Sequence, residues 1–170
     1  IACNIAVLLA QEGKRVLILD GDLGMANVDI MFGLKSQKSI LNAVSGEDSL
    51  ENCLVELSQN IFLLSGGSGI KELQKINDYQ RQHLLDQLNS MPMGFDYLII
   101  DTAPGIDDNV LYLNSAAQEI VVLVTPDPSS LTDAYALIKK VSLGYDRRHF
   151  RILVNKVKAA DDAEAIFRNL

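Results

Sequence analysis

Tryptophan is absent from this chain, and cysteine and histidine occur only twice each. Cys3 and Cys53 have no C-x-x-C pairing and no histidine nearby, which argues against a thiolate metal site or a disulfide framework. Two buried thiols in a reducing compartment are expected instead. His83 and His149 fall in no catalytic spacing and are expected at the surface. Long apolar runs are missing too. The most apolar segment, Ile1 to Ala10, is too short for a bilayer and has no positive flank of the kind a signal peptide carries. Nor is there a basic excess: the net charge is −7, whereas binding a nucleic-acid backbone needs a basic surface to release counterions. Lys139, Lys140, Arg147 and Arg148 are the local exception, and solvated helix and loop positions account for them. No direct nucleic-acid partner is expected.

What is present is a chain of 170 residues, 48% hydrophobic, enough for one α/β domain whose sheet is covered on both faces. Runs at Val16 to Leu19, Ile61 to Leu64, Tyr97 to Ile100, Ile120 to Val124 and Phe150 to Asn155 read as strands. The run at Ile120 looks too apolar for a sheet edge open to water. Helices are expected over Ile1 to Glu12, stopped by a left-handed Gly13, and over Ser39 to Ser45, Ser49 to Glu56, Lys71 to Ser90, Asp107 to Ala117, Ser129 to Leu143 and Asp161 to Leu170. Gly21 to Gly33 reads as a loop. Strands alternating with helices imply a doubly wound, parallel sheet with right-handed crossovers.

Two strands end on acids. The first delivers Asp20 and Asp22 to its C-terminal end, where open α/β sheets bind ligands. The D-x-D pair suits one crevice or one hydrated metal, and a turn cap beside a solvated acid would look the same. The other strand, LIIDTAPG, has the shape of a Walker B element. Its apolar run ends on Asp101, which can hold Mg²⁺ through water, and Gly105 can lay a backbone N–H against a terminal phosphate. Gly66-Gly67-Ser68-Gly69-Ile70-Lys71 imitates a phosphate loop, but Ile70 separates Gly69 from Lys71 and Glu72 takes the hydroxyl position, so a turn before a helix is expected. No Walker A pattern occurs. Asn155, ending the last strand, carries a carboxamide able to pair with an adenine edge.

Together these residues resemble the MinD/ParA-type deviant Walker A ATPases, and within them the FlhG/FleN-type flagellar number regulators. The segments DGDLGMANVDIMFGL from Asp20, DTAPGI from Asp101, PSSLTDAYALIK from Pro128 and FRILVN from Phe150 carry the resemblance. It implies a P-loop NTPase-like fold that lacks its first (Walker A) strand here, with 1–170 a single domain truncated at the N-terminus and also at the C-terminus. It implies Asp22 as the acid that orients the attacking water, Asp20 and Asp101 as Mg²⁺ holders through water, Gly105 as a γ-phosphate contact and Asn155 as the adenine reader. ATP and Mg²⁺ are the implied cofactors. The implied partners are a second copy on ATP binding, an FlhF-type GTPase and a flagellar transcription activator. The implied location is cytoplasmic and peripheral at the inner face of the cell membrane, through a segment outside these residues. Asp161 to Leu170 is too acidic at its start to be that segment.

Three rivals stand beside this expectation. A generic Min/Par positioning ATPase shares the acidic strand ends, and a non-catalytic module of the same fold would bind partners without turnover. A phosphorylation receiver would use Asp20, Asp22, Asp101, Thr125 and Lys156, but the extra strand between the first acids and Asp101 disfavours it.

Overall fold

The computed structural model describes residues 1–22, 26–34, 36–67, 77–91, 94–168 and 170. They divide into two compact units, Ile1–Ala103 and Pro104–Leu170. Each is mainly parallel α/β, as expected from the alternating pattern.

In the first unit, α1 (Ala2–Gln11) leads into β1 (Val16–Gly21). Gly13 takes the expected left-handed conformation, φ +79°, and donates its N–H to the Ala10 carbonyl at 2.9 Å. Next come α2 (Val28–Met31), α3 (Ile40–Val44), a 3-10 turn (Glu51–Cys53), β2 (Leu54–Ser58), β3 (Ile61–Leu64), α4 (Asp78–Ser90) and β4 (Tyr97–Thr102). The sheet order is β2-β3-β1-β4, with β1 parallel to both β3 and β4. All six residues of β1 are buried, which is why its apolar run shows no alternation. Cys3 and Ala6 of α1 pack on Val16, Ile18, Ile61 and Leu63. Although α1 is apolar nearly all round, Ile5 and Leu8 remain exposed.

The far end of this sheet is clamped by Arg15. Its backbone N–H donates to Asp96 Oδ2 at 2.8 Å, and its carbonyl accepts from the N–H groups of Asp96 and Tyr97 at 2.8 and 3.3 Å. Its guanidinium lies over the rings of Phe62 and Phe95, 5.4 and 5.3 Å from their centroids.

The second unit holds α5 (Asp108–Ala116), β5 (Val121–Val124), α6 (Pro128–Tyr145), β6 (Arg151–Val154) and α7 (Ala160–Arg168), with β5 parallel to β6. Asp107 caps α5 by accepting the Val110 N–H at 2.9 Å. The core here gathers Leu111, Ile120, Val122, Val124, Ala134 and Val141.

Three expectations need correction. The segment from Ser49 to Glu56 is not a helix: after one 3-10 turn the chain enters β2, antiparallel to β3. Val55 and Leu57 pack on the core while Glu56 and Ser58 are not among those packed residues, a period-2 pattern that favours a strand. The stretch from Gly21 to Gly33 contains the one-turn helix α2. Finally, β5 is not buried throughout, since Val121 and Leu123 are 53% and 47% exposed. The expected helix from Lys71 is described only from Asp78, with Asn77 as its cap; residues 71–76 lie outside the described set.

Candidate functional site

β1 and β4 are parallel and in register, so Asp20 stands opposite Asp101 and Gly21 opposite Thr102. Neighbours in register share a face of the sheet, and the two carboxylates therefore sit side by side at its C-terminal edge. Asp22 follows two residues later, as β1 gives way to its exit turn.

The two registered acids have different surroundings. Asp20 is 3% exposed and its carboxylate is held by three backbone donors. Oδ1 accepts the Asp22 N–H at 3.2 Å, and Oδ2 accepts those of Asn27 and Val28 at 2.9 and 3.2 Å. One side chain thus anchors its own exit turn and the start of α2. Asp101 is partly exposed, and burial, followed by the charges of Asp20 and Asp22, pushes its carboxyl above the ordinary value. Burial and then the Asp101 charge also push up the thiol of Cys3, an inert sulfur close to the acids.

Asp20, Asp22 and Asp101 thus gather in the first unit. Gly105 and Asn155 belong to the second. Gly105, three residues past β4, has φ +109° with nothing within 4 Å of the position a Cβ would take. Asn155 follows β6, and its N–H donates to the Val124 carbonyl at 2.8 Å, extending the β5–β6 ladder by one bond. Lys156 beside it takes φ +59°, a left-handed conformation that is strained for a non-glycine residue.

Sequence reasoning missed the exit of β3. Ser65 and Gly66 are buried, and Gly66 lies against the Asp20–Asp22 backbone. Gly66 stands two residues past the end of β3, and nothing in its neighbours along the sequence signals the contact.

Among the described residues no group of three or more His, Cys, Asp or Glu converges to ligate a metal directly. Magnesium, which keeps much of its water and takes one or two carboxylates, suits the concentrated negative charge around Asp101 better than a metal needing a full protein cage would. Among the described residues no helix is long and apolar enough to cross a membrane.

A family profile described as an AAA domain matches residues 1–153. The chain belongs to this family, in its ParA/MinD-type branch. The antiactivator FleN of Pseudomonas aeruginosa is 32% identical over 170 residues, covering 100% of this chain and 61% of FleN. The flagellum site-determining protein YlxH of Helicobacter pylori is also 32% identical, covering 100% of this chain and 57% of YlxH. The chain therefore spans about three-fifths of the length of these relatives. Among solved structures, the septum site-determining protein MinD complexed with Mg-ADP from Pyrococcus horikoshii superposes with a TM-score of 0.76. The match covers 97% of this chain and 70% of that one at 20% identity, a likeness of fold.

Proposed function

We propose that the full protein is an ATP-dependent dimerisation switch of the ParA/MinD type that regulates flagellar number and placement, with slow ATP hydrolysis. The observation that carries this is the register of Asp20 and Asp101 on adjacent parallel strands, with Asp22 in the turn that follows. Phosphoryl transfer asks a protein mainly for positioning and charge neutralisation, and acids at the C-terminal edge of a parallel sheet supply both for a hydrated Mg²⁺ on a nucleotide. The names FleN and YlxH support the flagellar assignment, and the family match, which runs across both units, supports treating 1–170 as one ATPase domain.

In this proposal Asp101 holds the magnesium through its waters. Asp20 adds its charge while its oxygens fix the exit turn, and that turn presents Asp22 to the attacking water. Gly105 offers an N–H to the terminal phosphate, and Asn155 reads the adenine edge. Mg-ATP, when bound, supplies the electrophilic phosphorus and neutralises its developing charge. The partners are a second copy, an FlhF-type GTPase and a flagellar transcription activator, the last in keeping with the word antiactivator in the name of FleN. We place the protein in the cytoplasm with peripheral membrane contact.

Asp22→Ala in the protein as its gene encodes it should keep ATP binding and stay dimeric with ATP, while hydrolysis falls about 10²-fold or more. Calorimetry, light scattering and single-turnover hydrolysis measure the three. Normal turnover by the variant would remove Asp22 from its role, and no ATP binding by the wild type would favour the non-catalytic interaction module.

A further inference from the structure

The glycine-rich exit of β3, Ser65-Gly66-Gly67, has no part in the roles assigned above. Gly66 is buried and not at positive φ, so no turn demands a glycine there. Space does. A Cβ on Gly66 would stand 2.5 Å from the carbonyl oxygen of Asp20, 3.1 Å from that of Asp22 and 3.3 Å from the Asp22 carbonyl carbon. Real Cβ atoms do not come that close to backbone, so any larger residue must displace one side or the other.

Both sides are held. Asp20 is in register with Asp101, and its carboxylate is fixed by three N–H groups. Across from it, the Ser65 carbonyl accepts the Ile40 N–H at 2.8 Å, and Ser65 Oγ accepts the Gly67 N–H at 3.3 Å. Gly67, at φ +82°, lies so close to α3 that a Cβ on it would meet Ser39 Oγ at 3.1 Å and Leu41 Cδ1 at 3.2 Å. Ser39 is itself fixed as the cap of α3, where its hydroxyl accepts the Leu41 N–H at 3.3 Å. The β3 exit is thus wedged between the start of α3 and the exit turn of β1.

We infer that Gly66 is a positioning residue: the lack of a side chain at the β3 exit lets its backbone seat against Asp20–Asp22 and so sets where Asp22 stands. This rests on the role proposed for Asp22, and Gly66 acts only through the backbone from Asp20 to Asp22. A methyl group at 66 pushes first on the Asp20 carbonyl and then on that of Asp22, from a support that is hydrogen-bonded in place.

The test is steady-state Mg-ATP hydrolysis by the protein as its gene encodes it, wild type beside Gly66→Ala. Misplacing a water-orienting group by about an ångström costs up to about 10²-fold, so kcat should fall about tenfold or more while KM moves less than about threefold. Gly13→Ala controls for general loss of stability: it sits at φ +79° with nothing within 4 Å and should lower Tm without changing kcat. If Gly66→Ala fails to fold, Ser39→Ala loosens the opposite side of the wedge and should lower kcat about two- to threefold at constant KM. An active wild type whose Gly66→Ala variant keeps its kcat, or loses only KM, overturns the inference. So does an unchanged Ser39→Ala where Gly66→Ala does not fold. A wild type with no Mg-ATP turnover sinks the proposed function, and this inference with it.

Discussion

Two aspartates in register on neighbouring strands need not carry the same energetic sign. Asp20 satisfies three N–H groups, and replacing it by Ala leaves them without that acceptor in a buried place, which should cost about 2–3 kcal/mol. Asp101 is raised from the ordinary 3.8 by burial and then by its acidic neighbours, so the folded chain holds that proton more tightly than the unfolded chain does. The stability this gives is present below the ordinary value and is lost as pH rises through the raised one. At neutral pH, without nucleotide, the ionised carboxylate works against the fold. Asp101→Asn should therefore raise Tm at pH 7 and flatten the loss of stability above pH about 4, while Asp20→Ala lowers Tm. Thermal melts across pH measure both, and a shift of the same sign for the two variants would refute the contrast.

At the level of elements, short polar boxes decide where helices start. Asn77 accepts the Gln80 N–H at 2.9 Å, and Gln80 Oε1 accepts the Asn77 N–H at 2.9 Å, a reciprocal cap on a helix whose own sequence is polar. Asn77→Ala should cost about 1 kcal/mol, read as a lower midpoint in urea; an unchanged midpoint would show that packing alone sets the start of α4. Caps of this kind also mark how far the sequence could be read. Val16 to Asp20 and Tyr97 to Asp101 were legible because a short, unbroken apolar run ending on an acid suits little besides a buried strand that stops at a sheet edge. β2 was not, because Ser49 ahead of Leu50 imitates a helix cap, and the alternation of Val55, Glu56, Leu57 and Ser58 is too brief to outvote it. Gly66 was hidden by distance along the chain. Its constraint comes from a backbone 46 positions earlier, and no local pattern carries that information.

Among the described residues one hydrophobic cluster forms around Ile18 and Leu63 and another around Val122 and Val141, with no member in common. Leu63→Ala and Leu111→Ala should each cost about 2–5 kcal/mol, and the double variant should match their sum within about 0.5 kcal/mol. Chemical denaturation checks this, and a coupling well above that margin would mean that the two side chains interact energetically. The acidic edge depends on the molecule in another way, through the clamp at Arg15. Side chains in a strand alternate with a period of two, so sliding β4 by a single residue along β1 would turn Asp101 to the opposite face. Arg15 meets Asp96 and Tyr97 where the two strands begin, five residues before Asp20 and Asp101. It acts as an indexing pin: a ladder started correctly there can finish only with the two carboxylates abreast. The side chain in that pin is Asp96, whose carboxylate accepts the Arg15 N–H, so substitutions at Asp96 would show themselves as misaligned acids at the far end of the sheet before they registered as a loss of fold.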